Sequence, residues 1–156
     1  VDVPGKTRKI SMTATVDPRY QTSHMTIHPL HATLLAGTIP LFLGALFSDI
    51  AYYRSYEIQW TNFASWLIAG GLVFAGLAML CAIIGMFRAH GRGGRGAIYL
   101  ILLLATWVLG FFNALVHAQD AWGSMPMGLI LSVIVTFLAC AATAVRFSTR
   151  RPGGVK

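Results

Sequence analysis

The chain has 156 residues, 56% of them hydrophobic and 11% charged, with a formal charge of +7 and a mean hydropathy of +0.65. Those values exclude an ordinary soluble domain, in which about a quarter of the residues are charged, and describe a chain whose surroundings are lipid. Nor does the positive charge point to nucleic acid, because the Lys and Arg flank apolar runs and no basic helix carries interleaved exposed aromatics.

Residues 1–26 form a basic segment with Lys6, Arg8, Lys9 and Arg19 and no apolar periodicity, read as a mobile tail ahead of a membrane domain over 27–147. The first apolar run spans residues 30–53. A basic segment before an apolar run resembles a secretory leader, but a leader's core is about 7–15 residues and this run is too long for one. Pro29 suits a first helical turn, which would set His28 and His31 on one face. Pro40 frees a backbone carbonyl one turn earlier and predicts a kink. Gly37, Gly44 and Ala51 offer small contacts, and Asp49 lies about one turn from the far end.

Tyr52, Tyr53, Tyr56, Trp60 and Trp66 crowd the first connection and predict rings anchored at the headgroups. The second run, 63–87, puts Gly71, Ala75, Ala78, Ala82 and Gly85 on one stripe, a surface for close helix contact in lipid. A glycine-rich connection follows with Arg88, His90, Arg92 and Arg95. In the third run, 97–116, the corresponding stripe ends in Thr106, Gly110, Asn113 and His117, so one helix face is polar and should point inward. Asp120 and Trp122 mark the next connection. The fourth run, 127–145, repeats the small stripe as Gly128, Ser132, Thr136, Ala139 and Thr143, before a basic tail over 148–156. Cys81 and Cys140 lie within spans, without Cys-x-x-Cys spacing, and read as small packing residues at similar depth.

Each run approaches the roughly 20 residues that a helix needs to cross about 30 Å of hydrocarbon. All Lys and Arg but Arg54 sit in the N-terminal tail, in the glycine-rich connection or from Arg146 onward at the C-terminal end. Cationic segments stay on the cytoplasmic face, which predicts an all-α, four-helix antiparallel transmembrane bundle with both termini cytoplasmic.

Two groups of residues then fall at opposite depths. Asp49, Asn113 and His117 share the outer side, where an Asp49 to His117 hydrogen bond would hold one tautomer and form a proton-accepting pair suited to quinol oxidation. The bland alternative is an interhelical clasp. On the inner side, His28, His31 and His90 are candidate ligands for haem b or a metal, by the affinity of neutral imidazole for either.

His28, Pro29 and His31 opening the first span, Pro40 and Asp49 within it, Asn113 in the third, and Gly128, Leu131 and Ser132 opening the fourth resemble the bacterial membrane proteins grouped as domain of unknown function 2231. The resemblance runs over about residues 27–145. It implies a four-helix inner-membrane protein, and some relatives look like membrane partners of periplasmic dehydrogenases. No catalytic set comes with it.

The sequence has no Gly-x-Ser-x-Gly elbow, phosphate loop or dinucleotide fingerprint, so a subunit or partner role is expected rather than a free-standing enzyme. Two functions fit. One is a redox membrane subunit carrying haem b or a quinone site and taking electrons from a periplasmic dehydrogenase. The other is a non-redox anchor or assembly subunit of a larger membrane complex. Lipid bilayer is a partner in both.

Overall fold

The computed structural model describes residues 29–88, 94–119 and 121–148. His28 and His90 lie outside the described residues, as do both tails. The described residues form α1 (Pro29–Ser55), α2 (Ile58–Arg88), α3 (Gly94–His117), the single turn α4 (Ala121–Ser124) and α5 (Met127–Ser148). All but α4 are long and apolar enough to cross a membrane. Backbone polar groups have no water to bond in hydrocarbon, so the helix, which satisfies them within one segment, is the form such runs take.

α1 and α2 outrun the sequence expectation on the first connection, which shrinks to Tyr56 and Glu57. The helix continues through Gln59, Thr61 and Asn62 because polar side chains at the interface end the apolar run without ending the backbone ladder. Tyr56 adopts φ 56°, in the left-handed region, while its N–H still bonds the Tyr52 carbonyl at 2.8 Å. This single residue closes α1 in the manner of a C-terminal cap.

Packing follows a square. α1 and α3 each lie against both α2 and α5. That leaves α1 and α3 on the diagonal, where side chains must reach across the centre, and small residues line the adjacent contacts. Phe42 fills the middle, 1% exposed, and a Cβ added to Gly71 would lie 2.8 Å from its ring. Gly110 approaches the same ring from α3, at 3.4 Å for an added Cβ. Gly37 and Gly44 turn toward α2, against Phe74 and Leu67.

The expected stripes appear with changes. Gly71, Ala75 and Ala78 of α2 are buried, whereas Ala82 and Gly85 are half-buried where the helices reach the bundle end. Gly128, Ser132, Thr136 and Ala139 of α5 and Thr106, Gly110, Asn113 and His117 of α3 are buried as well. On α1 the principal buried face is instead His31, Leu35, Thr38, Phe42, Ala45, Asp49 and Tyr52. Tyr52 therefore leaves the aromatic belt: it is 2% exposed, against 56% for Tyr53 and 79% for Trp66. Cys81 is half-buried and Cys140 exposed, and both are free thiols.

Pro40 sits on the exposed side of α1. The carbonyl that Pro40 leaves without its helical donor is that of Ala36; separately, Thr136 Oγ1 donates to the Phe42 carbonyl at 3.1 Å and ties α5 to α1.

Candidate functional site

Asp49 is the first requirement of the site, since a carboxyl buried in a lipid-soluble bundle is expensive unless other groups bond it. The fold places it on the inner face of α1, 0% exposed, opposite the last turn of α3. His117 from α3 and Ser132 from α5 both reach it. His117 Nε2 lies 2.8 Å from Asp49 Oδ1, and Ser132 Oγ donates to Asp49 Oδ2 at 2.5 Å. Asn113, one turn before His117 on α3, donates from Nδ2 to Ser132 Oγ at 2.8 Å. Its own backbone carbonyl lies 2.9 Å from His117 Nδ1. Three helices thus meet in one hydrogen-bonded chain.

Counting protons defines what this chain holds. The Asn113 carbonyl can only accept, so Nδ1 of His117 carries a hydrogen and donates it. Nε2 then faces a carboxylate oxygen, and a bond between them needs one further proton, on either the ring or the carboxyl. The single hydroxyl hydrogen of Ser132 goes to Asp49, which makes Ser132 an acceptor toward Asn113 and fixes the orientation of that amide. Asn113 Oδ1 is buried with no hydrogen-bond partner among the described residues. The cluster is an imidazole of fixed tautomer sharing one movable proton with a carboxyl.

Space for the ring comes from Gly128 at the start of α5. A Cβ there would lie 2.7 Å from His117 Cε1, too close for any real contact. Glycine is thus needed for its missing side chain, and the stripe that brings α5 close also shapes the site.

The structure unites Asp49, Asn113 and His117, as their shared depth suggests. It adds Ser132 and Gly128, which in the sequence carried a packing stripe and part of the family resemblance but no sign of a place in the polar cluster. At the other end of the bundle, His31 Nε2 lies 3.0 Å from Tyr99 Oη, with Arg146 beyond the Tyr99 ring. Among the described residues no group of three or more His, Cys, Asp and Glu is placed to hold a metal ion.

A family model described as predicted membrane protein (DUF2231) matches residues 27–145. No curated protein and no solved structure shows significant similarity to the chain.

Proposed function

The chain belongs to the DUF2231 family of predicted membrane proteins, and from that premise we propose that it is a multi-pass subunit of a bacterial inner membrane that handles a proton for quinone chemistry at the outer end of its bundle. The observation that carries this reading is the buried 2.8 Å contact between His117 Nε2 and Asp49 Oδ1, across which one proton can be shared. Quinol oxidation releases two electrons and two protons. The imidazole–carboxyl pair takes up the two protons one after the other at its shared position, passing the first outward before it accepts the second, while the two electrons go to a redox partner of the complex. A periplasmic dehydrogenase is the partner class for the opposite direction, in which quinone is reduced and protons are taken up.

Orientation in this proposal follows the sorted cations, with both termini cytoplasmic. The up-and-down order of the helices has support in the contacts. His31 meets Tyr99 and Asp49 meets His117, both at an offset of 68 residues, so α1 and α3 keep one register over their length. Leu41 meets Gly70 while Gly44 meets Leu67, so α2 runs back along α1.

Haem b takes no step here. Both ring nitrogens of His117 are engaged, and Nε2 of His31 bonds Tyr99. Quinone needs only hydrogen-bonding groups near the pair.

The anchor reading has one observation in its favour: each member of the cluster bonds another member, and Asp49 and Asn113 are 0% exposed. A clasp that locks α1, α3 and α5 would look the same. Quinone extraction and quinol oxidation separate the two. Protein purified from its own membranes in mild detergent should retain quinone, and Asp49→Asn should slow quinol oxidation by about a hundredfold or more, as loss of a general base does. No retained quinone, with equal rates for both forms, would leave the anchor, which in turn requires a stoichiometric protein partner in the same preparation.

A further inference from the structure

A second polar cluster sits at the opposite end of the two diagonal helices and takes no part in the proton chemistry. The 18 positions separating His31 from Asp49, and Tyr99 from His117, put it about 27 Å away at 1.5 Å per residue. His31 and Tyr99 are 5% and 6% exposed, bonded through Nε2 and Oη, with their rings edge to face at 5.9 Å. Arg146, in the last turn of α5, holds its guanidinium carbon 5.8 Å from the Tyr99 ring centroid. That distance is within the roughly 6 Å of a cation–π contact, which draws toward the ring a guanidinium that would otherwise snorkel freely.

Charge at this end is mainly positive, with Asp2 and Asp17 the acidic residues in the segment that precedes α1. The carboxylates among the described residues, Asp49 and Glu57, both belong to the other end. The segments that leave this end carry Arg88, Arg92, Arg95, Arg150 and Arg151 in the sequence. A planar donor fork beside a bonded imidazole–phenol pair that has one further hydrogen to give, drawn from three helices, matches a tetrahedral oxyanion better than a carbonyl or a metal.

We infer that Arg146, seated on Tyr99 and backed by His31, forms a binding site for a phosphate group, filled in the membrane by the headgroup of an anionic phospholipid. The tail arginines attract the same leaflet diffusely. Arg146 differs because its position is set by the packed ring beneath it. The lipid adds to the contacts that Arg146 and His31 already make, and it clamps the ends of α1, α3 and α5 together.

Native mass spectrometry of the full chain released from detergent tests this, with phosphatidylglycerol and phosphatidylcholine supplied in equal amounts. The wild type should hold one phosphatidylglycerol in preference to phosphatidylcholine. Arg146→Gln should lose that preference by about tenfold or more, the loss expected for charge-assisted hydrogen bonds. Tyr99→Phe, which keeps the ring under Arg146, should retain most of it, and Arg150→Gln should retain it fully. Inorganic phosphate that displaces the lipid would identify the shared chemistry and a free anion as a second source. Equal retention of both lipids by the wild type, or equal losses in Arg146→Gln and Arg150→Gln, would overturn the site. Should Arg146→Gln fail to fold, Arg146→Lys decides: a point charge replaces the fork, so unchanged preference contradicts a fitted phosphate.

Discussion

At position 49, a carboxyl and a carboxamide of the same shape make opposite demands on His117, and this gives the sharpest substitutions. In Asp49→Asn the amide nitrogen can donate to Nε2 while the oxygen still accepts from Ser132, so each bond keeps a donor and an acceptor but the movable proton is gone. Asp49→Ala strands both partners. Interhelical hydrogen bonds in membranes contribute about 0.6–2 kcal/mol each, so Asp49→Ala should cost about 1–4 kcal/mol and Asp49→Asn well under half of that. Unfolding in mixed detergent micelles checks the ranking, and equal losses would contradict it. Gly128→Ala sets a methyl 2.7 Å from His117 Cε1, whereas Gly123→Ala meets only Gln119 Oε1 at 3.7 Å. The first should lower stability by about 1–3 kcal/mol by overpacking, and the second should leave it within about 0.5 kcal/mol, by the same measurement. Asp49, Asn113 and His117 were legible in the sequence because polar groups inside apolar runs stand out. Ser132 was not, since a hydroxyl in a stripe of Gly, Ala and Thr is a normal packing residue until a carboxyl is seen opposite it. Tyr99 and Arg146 were hidden differently, one as an apolar ring and the other as a flanking charge.

Among the helices, legibility depended on which neighbour each face meets. The α2, α3 and α5 stripes were readable because small or polar residues recur at spacings of three and four, which is the period of a helix seam. The α1 face was not, because Gly37 and Gly44 mark only its contact with α2 while its diagonal face carries the large Phe42 and Tyr52. Large residues belong where helices are farthest apart, and the sequence does not say which pair is diagonal. The early start of α2 was missed for a related reason, since apolar length measures the hydrocarbon rather than the helix. α5 supplies a test at this scale. Thr136 donates to the Phe42 carbonyl of α1, but Thr143 donates to Ala139 of its own helix. Thr136→Val should therefore cost about 0.6–1.7 kcal/mol, the range for interhelical bonds in a membrane, and Thr143→Val less than about 0.5 kcal/mol. A reversed order in the unfolding free energies would show that the α1–α5 tie is not energetically used.

For the molecule as a whole, the basic segments give direction to what the packing leaves symmetric. One end of the bundle carries the His117–Asp49 pair, the other the Tyr99–Arg146 contact, and every Lys and Arg but Arg54 lies with the latter. If that end is cytoplasmic, a membrane-impermeant maleimide applied to intact inner-membrane spheroplasts should label Glu57→Cys and spare Arg150→Cys until the membrane is opened. Labelling of Arg150→Cys alone would invert the topology and move the proton site to the cytoplasmic side. Background thiols are limited to Cys81 and Cys140, both within spans, and can be replaced by Ala. The proton pair itself is tested most directly by infrared difference spectroscopy of the protein in lipid as added quinone is cycled between its oxidised and reduced forms. A carboxyl C=O band that changes with quinone redox state, accompanied by an imidazole ring mode and absent in Asp49→Asn, is the predicted result. Difference spectra of Asp49→Asn indistinguishable from those of the wild type would contradict a proton-handling role and leave the cluster a clasp.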